Sequence, residues 1–387
     1  MNILLTVHHH LDPNAGAPGV TLKLGQEYQK MGHQVYYYGF DNLPGYFSGK
    51  LKSVVFPEYL ACYLLKVWFG KNQIDVIDAS TGDSWLWGTL TRWYGTNRPL
   101  LVTRSHGLEH TFHHAFLEQA QKGNHPLSWK YPLYHGGFRL WEVASSLRRA
   151  DLTFLLNQEE LDYAVVQLKI PREKTCVVAN GVSESFLSLP FEPKAKSSTI
   201  RIAQVGSYIS RKGIHYGVPA LNVVLRRYPH VQVSFLGTGC SQATVHQDFD
   251  ETVRDRVQVI PHYTHDSLPT LLQGHQIKLL PSLFEGLPLV LLEAMACGLT
   301  PITTSLAGAK EIITDGDNGL LVPPYDSQAI ISAIAQLIIN PSYLEQLRRK
   351  AYATAQDYSW SCIARHNLTF YQQGLDQLRE KSQQANL

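Results

Sequence analysis

The stretch Pro281-Ser-Leu-Phe-Glu285-Gly-Leu-Pro288-Leu-Val-Leu-Leu-Glu293-Ala-Met-Ala-Cys-Gly298 carries the strongest structural signal in this chain. A short apolar run ends just before it, so the pattern predicts a buried strand, a short loop and then a helix. Proline suits the first helical position, because its φ is fixed and its missing N–H is not needed there; Pro288 is therefore expected at that position. Such a helix N-terminus favours an anion. The amides expected to surround it are those of Gly286, Leu287 and Leu289.

Two carboxylates, Glu285 and Glu293, lie eight positions apart in this stretch and are expected to face the same ligand-binding opening. Carboxylates accept hydrogen bonds from hydroxyl groups, and amides at a helix N-terminus hold phosphate. The combination suits a polyhydroxy ligand that carries a phosphate. The spacing alone leaves open that Glu285 is an ordinary loop acid and that Glu293 extends from a core helix towards solvent.

A second segment with chemical content is Val205-Gly-Ser-Tyr-Ile-Ser-Arg211-Lys212-Gly213. A strand runs into a turn with two adjacent cations, and the next helix is expected to begin at Gly213. This places positive charge where a diphosphate could bind. Without the neighbouring motif, a solvated surface pair of Arg211 and Lys212 would be the better explanation of the segment.

Short apolar, β-branched runs alternate with segments of helical period along the whole chain. This alternation is typical of parallel sheets with helices on both faces, and it predicts an α/β protein. Residues 189–199 interrupt it with two prolines and a polar run, as a domain linker would. We therefore expect one domain over residues 1–190 and a second over 200–358. Residues 359–387 are expected to form a C-terminal helix, for which packing against the first domain is one arrangement.

Composition excludes several classes of protein. The 387 residues are 44% apolar and 17% charged, which excludes global disorder, and the formal net charge of +2 gives no broad reason to bind nucleic acid. The five cysteines form no Cys-x-x-Cys pair, which argues against a disulfide framework and against thiolate-bound zinc and favours the cytoplasm. His8-His9-His10 cannot converge on one metal, because consecutive side chains on an extended segment alternate faces.

With these residues in place, the chain resembles a known family. The Glu-x7-Glu element, in the context Glu-Gly-Leu-Pro-Leu-Val-Leu-Leu-Glu-Ala-Met-Ala-Cys-Gly, is similar to the donor-sugar motif of the retaining glycosyltransferases of family 4. Asp315-Gly-Asp-Asn-Gly319 and Asn180-Gly-Val182 resemble further motifs of that family, in the expected order. The resemblance implies the GT-B fold, in which two Rossmann-like, doubly wound lobes face a central cleft. The first lobe would be the acceptor side, and the second would bind the nucleotide sugar.

The resemblance also implies roles for single residues. Lys212 would hold the donor diphosphate, and Glu285 would contact the donor sugar or sit near the phosphate. Glu293 would bind the nucleotide ribose. The family usually has an arginine directly after the first glycine of the second segment, where this chain has Ser207. Whether Arg211 substitutes for it, or one cation fewer holds the phosphate, stays open.

In the first half, His106 follows a predicted strand, and ligands of α/β proteins collect at the carboxyl edge of the sheet. By resemblance, His106 lies near the sugar and its anomeric carbon, which makes it, with Lys212 and Glu285, a candidate catalytic residue. Gly16 and Gly19 look like the family's glycine-rich first loop and would approach the donor diphosphate. The remaining glycines singled out, Gly237 and Gly239, are expected in a turn on the nucleotide side.

These implications predict transfer of a sugar from a nucleoside-diphosphate sugar to a hydroxyl acceptor, with no metal and no further cofactor. The acceptor would be a sugar, a glycan or a lipid-linked glycan. The base, the sugar and the linkage are left open. A nucleotide-sugar epimerase or hydrolase of the same fold, or a non-catalytic nucleotide-sugar-binding protein, remains the alternative.

An aromatic stretch over residues 110–141 leaves a further question open. It is interpreted as core of the first lobe, as an acceptor cleft or as a face apposed to a membrane. Peripheral contact with the inner membrane face therefore stays open beside the cytoplasmic location.

Overall fold

The computed structural model describes residues 1–70, 73–94, 98–121, 131–192 and 199–385. They divide into two compact units, Met1–Asn180 together with Trp360–Leu387, and Gly181–Ser359. The second unit thus begins before the predicted linker, at Gly181 and not after residue 190. The reason is local packing, since the Tyr352 hydroxyl donates to the Leu189 carbonyl and Arg348 donates to the Glu192 carbonyl. Residues 193–198 of the predicted linker lie outside the described residues.

The first unit contains a parallel six-stranded sheet in the order β2-β1-β3-β4-β5-β6. Its strands and helices before residue 181 are β1 (Asn2–Thr6), α1 (Gly16–Lys30), β2 (Gln34–Tyr38), α2 (Lys50–Trp68), β3 (Val76–Ser80), α3 (Trp85–Leu90), β4 (Leu100–Arg104), α4 (Glu109–Gln121), α5 (Arg139–Arg149), β5 (Leu152–Leu155), α6 (Gln158–Val166) and β6 (Thr175–Val177).

The second unit contains another parallel six-stranded sheet, in the order β12-β11-β10-β7-β8-β9. Its elements are α7 (Glu184–Leu187), β7 (Ile200–Val205), α8 (Ile214–Arg227), β8 (Val231–Leu236), α9 (Gln242–His246), β9 (Val257–Ile260), α10 (Leu268–Leu272), β10 (Ile277–Leu280), α11 (Leu289–Ala296), β11 (Thr300–Thr304), α12 (Ala307–Lys310), β12 (Leu320–Val322), α13 (Ser327–Ile339) and α14 (Pro341–Gln356). The final helix, α15 (Trp360–Ala385), belongs to the first unit.

The predicted strand and helix alternation is confirmed, and the misses have physical causes. Helix α2 has no clear helical pattern in the sequence, because Pro57 interrupts it and its apolar residues are not confined to one stripe. Strand β12 has only three residues, which is too short for a periodicity signal. The turn before it is held by Asn318, whose side chain bonds to the Thr314 amide and the Ile312 carbonyl, so this family-like motif is part of the scaffold.

Helix α15 is tied to the first sheet by a buried polar cluster. The Tyr371 hydroxyl donates to Asp78 of β3, and Asp78 also forms a bidentate ion pair with Arg104 of β4, at 2.6 Å in its shortest contact. Asn367 donates to the Tyr28 hydroxyl of α1 at 2.9 Å. Burial raises the pKa of Tyr371 well above its ordinary value, as does the Asp78 carboxylate, so the phenol keeps its proton. A buried charge pair needs such additional hydrogen bonds to be tolerated.

Tyr371→Phe removes one hydroxyl from this cluster and leaves the ring packing in place. Because that hydroxyl bonds to a buried carboxylate, we expect the free energy of unfolding to fall by about 1.5–3 kcal/mol. Urea denaturation measures the change. The matched control is Tyr46→Phe, in which the hydroxyl bonded to Tyr59 is lost from an exposed side chain; its effect is expected to stay within about 0.5 kcal/mol. Equal effects of the two substitutions would contradict the structural role of the cluster.

Candidate functional site

The strand order of the second sheet places a ligand crevice between β7 and β10. From β7 the chain moves in one direction to β8 and β9, and it then crosses back to β10, β11 and β12. At such a reversal the loops after the two central strands separate, and α/β proteins bind ligands at that carboxyl edge. The two segments singled out in the sequence are these two loops.

Lys212 and Glu285 come together in this crevice. The Lys212 ammonium donates to Glu285 Oε1 at 2.5 Å, and the Ser282 hydroxyl donates to the same oxygen at 2.8 Å. The Arg211 guanidinium lies 3.8 Å from Glu285 Oε2 and donates to the Phe284 carbonyl. The side chains of Lys212 and Glu285 are only 16% and 13% exposed, against 46% for Arg211. The neighbouring Ser207 is exposed.

The approach of the two loops depends on glycine at one position. Gly213 has a φ of +71°, and a Cβ at this residue would lie 1.7 Å from the Pro281 carbonyl oxygen. Any side chain there would push the loop after β7 away from the loop after β10. Because Lys212 directly precedes Gly213, this contact brings its ammonium within reach of Glu285.

Helix α11 begins at Leu289, one residue later than predicted, because Pro288 has a ψ of 93° and is the extended N-cap residue. The first amide to bond within this turn is that of Leu291, which donates to the Pro288 carbonyl at 2.9 Å. The amide of Leu289 therefore belongs to the N-terminal set that precedes the helical ladder. Gly286 and Leu287 form the approach to this helix, and the Leu287 side chain is buried.

Glu293 is bonded to a residue that the sequence analysis missed. His265 Nε2 lies 2.7 Å from Glu293 Oε1, and since a carboxylate only accepts, Nε2 carries the proton. His265 precedes α10 in a short turn, with no local pattern that marks it.

Gly237 and Gly239 lie in the loop after β8, as predicted, with positive φ at both. Their amides donate to the carbonyls of Ile260 and Pro261 in the loop after β9. A Cβ at Gly237 would lie 2.6 Å from the Tyr263 ring, so this loop packs directly on that ring. Burial, with Glu293 nearby, raises the pKa of Tyr263 to about 12. The four loops after β7, β8, β9 and β10 thus form one edge of the second unit.

The first sheet has its own reversal, between β1 and β3, and a polar cluster lies there. His8 Nδ1 lies 2.8 Å from Asp83 Oδ1, and the Thr6 hydroxyl donates to the other carboxylate oxygen. Because Asp83 only accepts, His8 carries its proton on Nδ1, and its Nε2 faces Arg139 at 3.3 Å. The sequence excludes convergence of His8, His9 and His10 on one metal, but it does not reveal the pairing of His8 with Asp83.

Arg139 connects this cluster to two further acids. It donates to Glu109 at 3.0 Å and to the Thr81 carbonyl at 2.7 Å, and it lies 3.6 Å from Glu142. Glu142 is fully buried, and that burial raises its pKa to about 7, although Arg139 opposes the shift. Neither of its carboxylate oxygens has a hydrogen-bond partner among the described residues.

His106 follows β4 at the same edge of the first sheet. The Ser80 hydroxyl donates to the Thr6 carbonyl, so the 3.2 Å contact from His106 Nε2 makes that nitrogen the donor to Ser80. Nδ1 is then an acceptor, and it is buried without a partner in the part of the chain that the structure describes. Burial and the charge of Arg104 lower the pKa of His106 to about 3, so the ring is neutral at physiological pH.

Gly16 and Gly19 lie in the first turn of α1 and not in a loop, which corrects the predicted glycine-rich loop. Pro18 is compatible with this, because proline is tolerated in the first helical turn. A Cβ at Gly19 would lie 2.9 Å from the Pro13 carbonyl oxygen, which gives that glycine a packing reason. Their contact with a diphosphate stays a prediction.

The remaining predictions concern metals and membranes. Among the described residues, no group of three His, Cys, Asp or Glu side chains is arranged to hold a metal ion. No helix in those same ranges has the length and apolar character needed to cross a bilayer. Within the aromatic stretch, Leu133, Phe138 and Trp141 are exposed, whereas residues 122–130, which include Trp129, lie outside the described residues.

Comparison with known proteins gives one family model for each half of the chain. Residues 15–186 match the model described as Glycosyltransferase Family 4, and residues 188–354 match Glycosyl transferases group 1. Alpha-D-kanosaminyltransferase from Streptomyces kanamyceticus is 23% identical over 220 residues, which is 54% of this chain and 57% of the relative. Glycogen synthase from Mycobacterium tuberculosis is 26% identical over 194 residues, which is 49% of this chain and 46% of the relative. The chain spans about half the length of these curated relatives.

Solved structures establish the fold. Sucrose-phosphate synthase from Thermosynechococcus elongatus superposes with a TM-score of 0.74 at 21% identity, over 96% of this chain and 98% of that one. HepE from Anabaena, solved in complex with UDP and glucose, gives 0.70 at 19% identity, over 96% and 100%. These likenesses confirm the expected GT-B class with two Rossmann-like lobes. Because the two family models together span most of the chain, we conclude that it belongs to the group 1 glycosyltransferases of family 4.

Proposed function

We propose that this protein transfers a sugar from a nucleoside-diphosphate sugar to a hydroxyl acceptor, with retention of anomeric configuration. The observation that carries the proposal is the meeting of Lys212 and Glu285 at the β7/β10 reversal, beside the N-terminus of α11. The cation and the helix amides can bind the diphosphate of a nucleotide sugar, and the carboxylate can accept hydrogen bonds from its sugar hydroxyls. HepE, which has the same fold, was solved in complexes with UDP and with UDP-glucose.

In the proposed mechanism, the second unit stabilises the leaving group. Negative charge grows on the β-phosphate as the glycosidic bond loosens. Lys212, with Arg211 beside it and the amides near Leu289, would bind that charge more strongly in the transition state than in the ground state, which raises kcat. Glu285 would orient Lys212 and accept hydrogen bonds from donor hydroxyls. No metal or further cofactor takes part in this proposal.

The nucleotide would lie along the loops after β8 and β9. Glu293 would accept hydrogen bonds from the ribose hydroxyls, with His265 fixing its orientation through the 2.7 Å contact. Gly237 and Gly239 would let the backbone approach the nucleotide closely.

His106 would act as a neutral acceptor. Its Nδ1 is buried without a partner among the described residues, and a sugar hydroxyl can donate to it. Nδ1 is the unprotonated nitrogen of the ring, because Nε2 donates to the Ser80 hydroxyl. We assign the acceptor to the hydroxyl of a sugar, glycan or lipid-linked glycan. The exposed Leu133, Phe138 and Trp141 favour an acceptor with an apolar portion. The same proposal includes a cytoplasmic location with peripheral contact at the inner face of the membrane.

The proposal is tested first by product analysis. Thermal-shift measurements with uridine, guanosine, adenosine and thymidine diphosphates are expected to identify one that raises the melting temperature most, because it binds the native state. The matching sugar donor should then be consumed rapidly only when a hydroxyl acceptor is added. Rapid formation of free sugar or of an epimer from donor alone would favour the hydrolase or epimerase instead. Failure of every donor to turn over with any acceptor would favour the non-catalytic alternative, for which Ser207 is the supporting feature.

Lys212→Ala tests the leaving-group role. Loss of one charge-assisted hydrogen bond that strengthens towards the transition state should lower kcat by about ten- to a hundredfold, with a smaller change in the donor KM. The matched control is Lys350→Ala, because Lys350 is an exposed lysine of the same unit that pairs with Asp317. Its kcat should equal that of the unsubstituted protein. A Lys212→Ala variant with unchanged kcat would remove Lys212 from the mechanism.

Glu293→Gln tests the ribose role. The change keeps the side chain's shape and removes its charge, so we expect about tenfold weaker binding of the preferred nucleoside diphosphate. Its 2′,3′-dideoxy analogue should bind both proteins equally, since it lacks the hydroxyls in question. Isothermal titration calorimetry measures both, with Glu251→Gln at an exposed position as control. Equal weakening for the two ligands would place the ribose elsewhere.

A further inference from the structure

Lys278 is a fully buried lysine in the central strand β10, and the mechanism above does not use it. All four residues of this strand are buried, and the Lys278 side chain has no solvent exposure. Its ammonium donates to the Leu279 carbonyl at 3.0 Å. An ammonium has three donors, and this is the one hydrogen bond that the described residues give it. Lysine is almost never fully buried without a charged partner, so its presence needs an explanation.

The side chain of Lys278 lies on the sheet face that carries the donor site's acids. Its neighbours Ile277 and Leu279 both belong to the apolar cluster that packs against α8 and α13. Because successive side chains in a strand alternate faces, Lys278 lies on the opposite face. Helix α11, which carries Glu293, packs on β10 and β11. Lys278 is paired in register with Ala203 of β7, so it sits below the reversal point at which Lys212 and Glu285 meet.

Three charged groups from the surrounding elements are near enough to act electrostatically on Lys278. They are Lys212 from the loop after β7, Glu285 from the loop after β10, and Glu293 from α11. Burial lowers the pKa of Lys278 to about 7, and the Lys212 cation acts in the same direction, while the two carboxylates oppose them. About half of the Lys278 side chains are therefore neutral amines near pH 7.

We propose that Lys278 is a charge-regulating residue of the donor site, which takes up a proton from solvent when a nucleoside diphosphate binds beside Lys212. The inference rests on the proposed function of that crevice. The amine lone pair of Lys278 accepts the proton, a third N–H bond of the ammonium forms, and the site gains one positive charge. An incoming diphosphate favours this step because its negative charge acts through a poorly screened interior. In the ligand-free state, the neutral amine avoids the repulsion between two cations.

The proposal predicts a definite number of protons. A group with a pKa of about 7 is about one-quarter protonated at about pH 7.5, so a ligand that keeps Lys278 fully charged draws up to about 0.7 protons per nucleotide. By linkage, Kd rises with pH wherever binding takes up protons. Between about pH 7 and about pH 8.5, where the diphosphate is mostly ionised, Kd should rise about tenfold through Lys278, and the residual ionisation of the diphosphate affects Lys278→Met equally.

The experiment uses the full chain and the nucleoside diphosphate that gives the largest rise in melting temperature. Calorimetric titrations in HEPES and in Tris, whose ionisation enthalpies differ and which carry no phosphate, count the protons taken up on binding. The test variant is Lys278→Met, which replaces a buried amine by an apolar chain of similar length, so folding is expected to be preserved. Lys350→Met removes an exposed lysine of the same unit as the control.

We expect uptake of about 0.7 protons in the unsubstituted protein and in Lys350→Met, and uptake near zero in Lys278→Met. The pH dependence of Kd should fall from about tenfold to less than about twofold in Lys278→Met alone. A lysine with a merely structural role would leave both readouts unchanged, and that result would overturn the proposal. Should Lys278→Met fail to fold, absence of proton uptake in the unsubstituted protein overturns it equally. Absence of any nucleotide binding would overturn the proposed function together with this inference, whereas binding without uptake overturns only the inference.

Discussion

The candidate donor site depends on one steric constraint, the contact between Gly213 and the Pro281 carbonyl. A single added carbon at Gly213 would lie 1.7 Å from that oxygen, so the loops after β7 and β10 meet only because the side chain is absent. This contact holds the backbone of Lys212 over the end of β10. The 2.5 Å ion pair with Glu285, the position of Arg211 beside Phe284 and the approach to α11 all follow from it. Backbone packing between the two loops thus determines where the charged side chains of the crevice lie.

In both sheets, polar side chains lie where the strand order reverses. The two edges differ in whether these side chains find hydrogen-bond partners within the protein. At the edge of the second sheet, the cation and carboxylate pair with each other and remain partly exposed. At the edge of the first sheet, Asp83, Arg139 and Glu109 form a denser network, while His106 and Glu142 keep buried atoms without protein partners among the described residues. Buried polar groups of that kind are expensive unless a ligand or water satisfies them. The first edge therefore has the character of a site whose hydrogen bonds are completed by what binds there.

The sequence predicted the repeated pattern better than the connections between distant residues. Strands β7 to β10 were predictable, because each is a short apolar run between clear turn residues. The proximity of Lys212 and Glu285 was predictable, since both follow strands whose carboxyl ends meet at one edge. His265, Asp83 and Arg139 were not, because each acts through a partner 28 to 131 positions away and has no local pattern. Pro57 interrupts the helical pattern of α2, so that helix could not be predicted. Pro288 is an extended N-cap residue, so α11 begins one residue after the position that its sequence favours.

The return of α15 to the first unit has a consequence for biosynthesis. Residues 360–385 are the last of the described chain to be translated, yet Tyr371 completes the hydrogen bonding of Asp78, which is made nearly three hundred residues earlier. During translation, the second unit is continuous in sequence and can close while α15 is still in the ribosome. Until α15 emerges, the Asp78–Arg104 pair of the first unit lacks its hydrogen bond from Tyr371. The nascent chain therefore completes its two domains in the reverse of the order in which they begin to emerge.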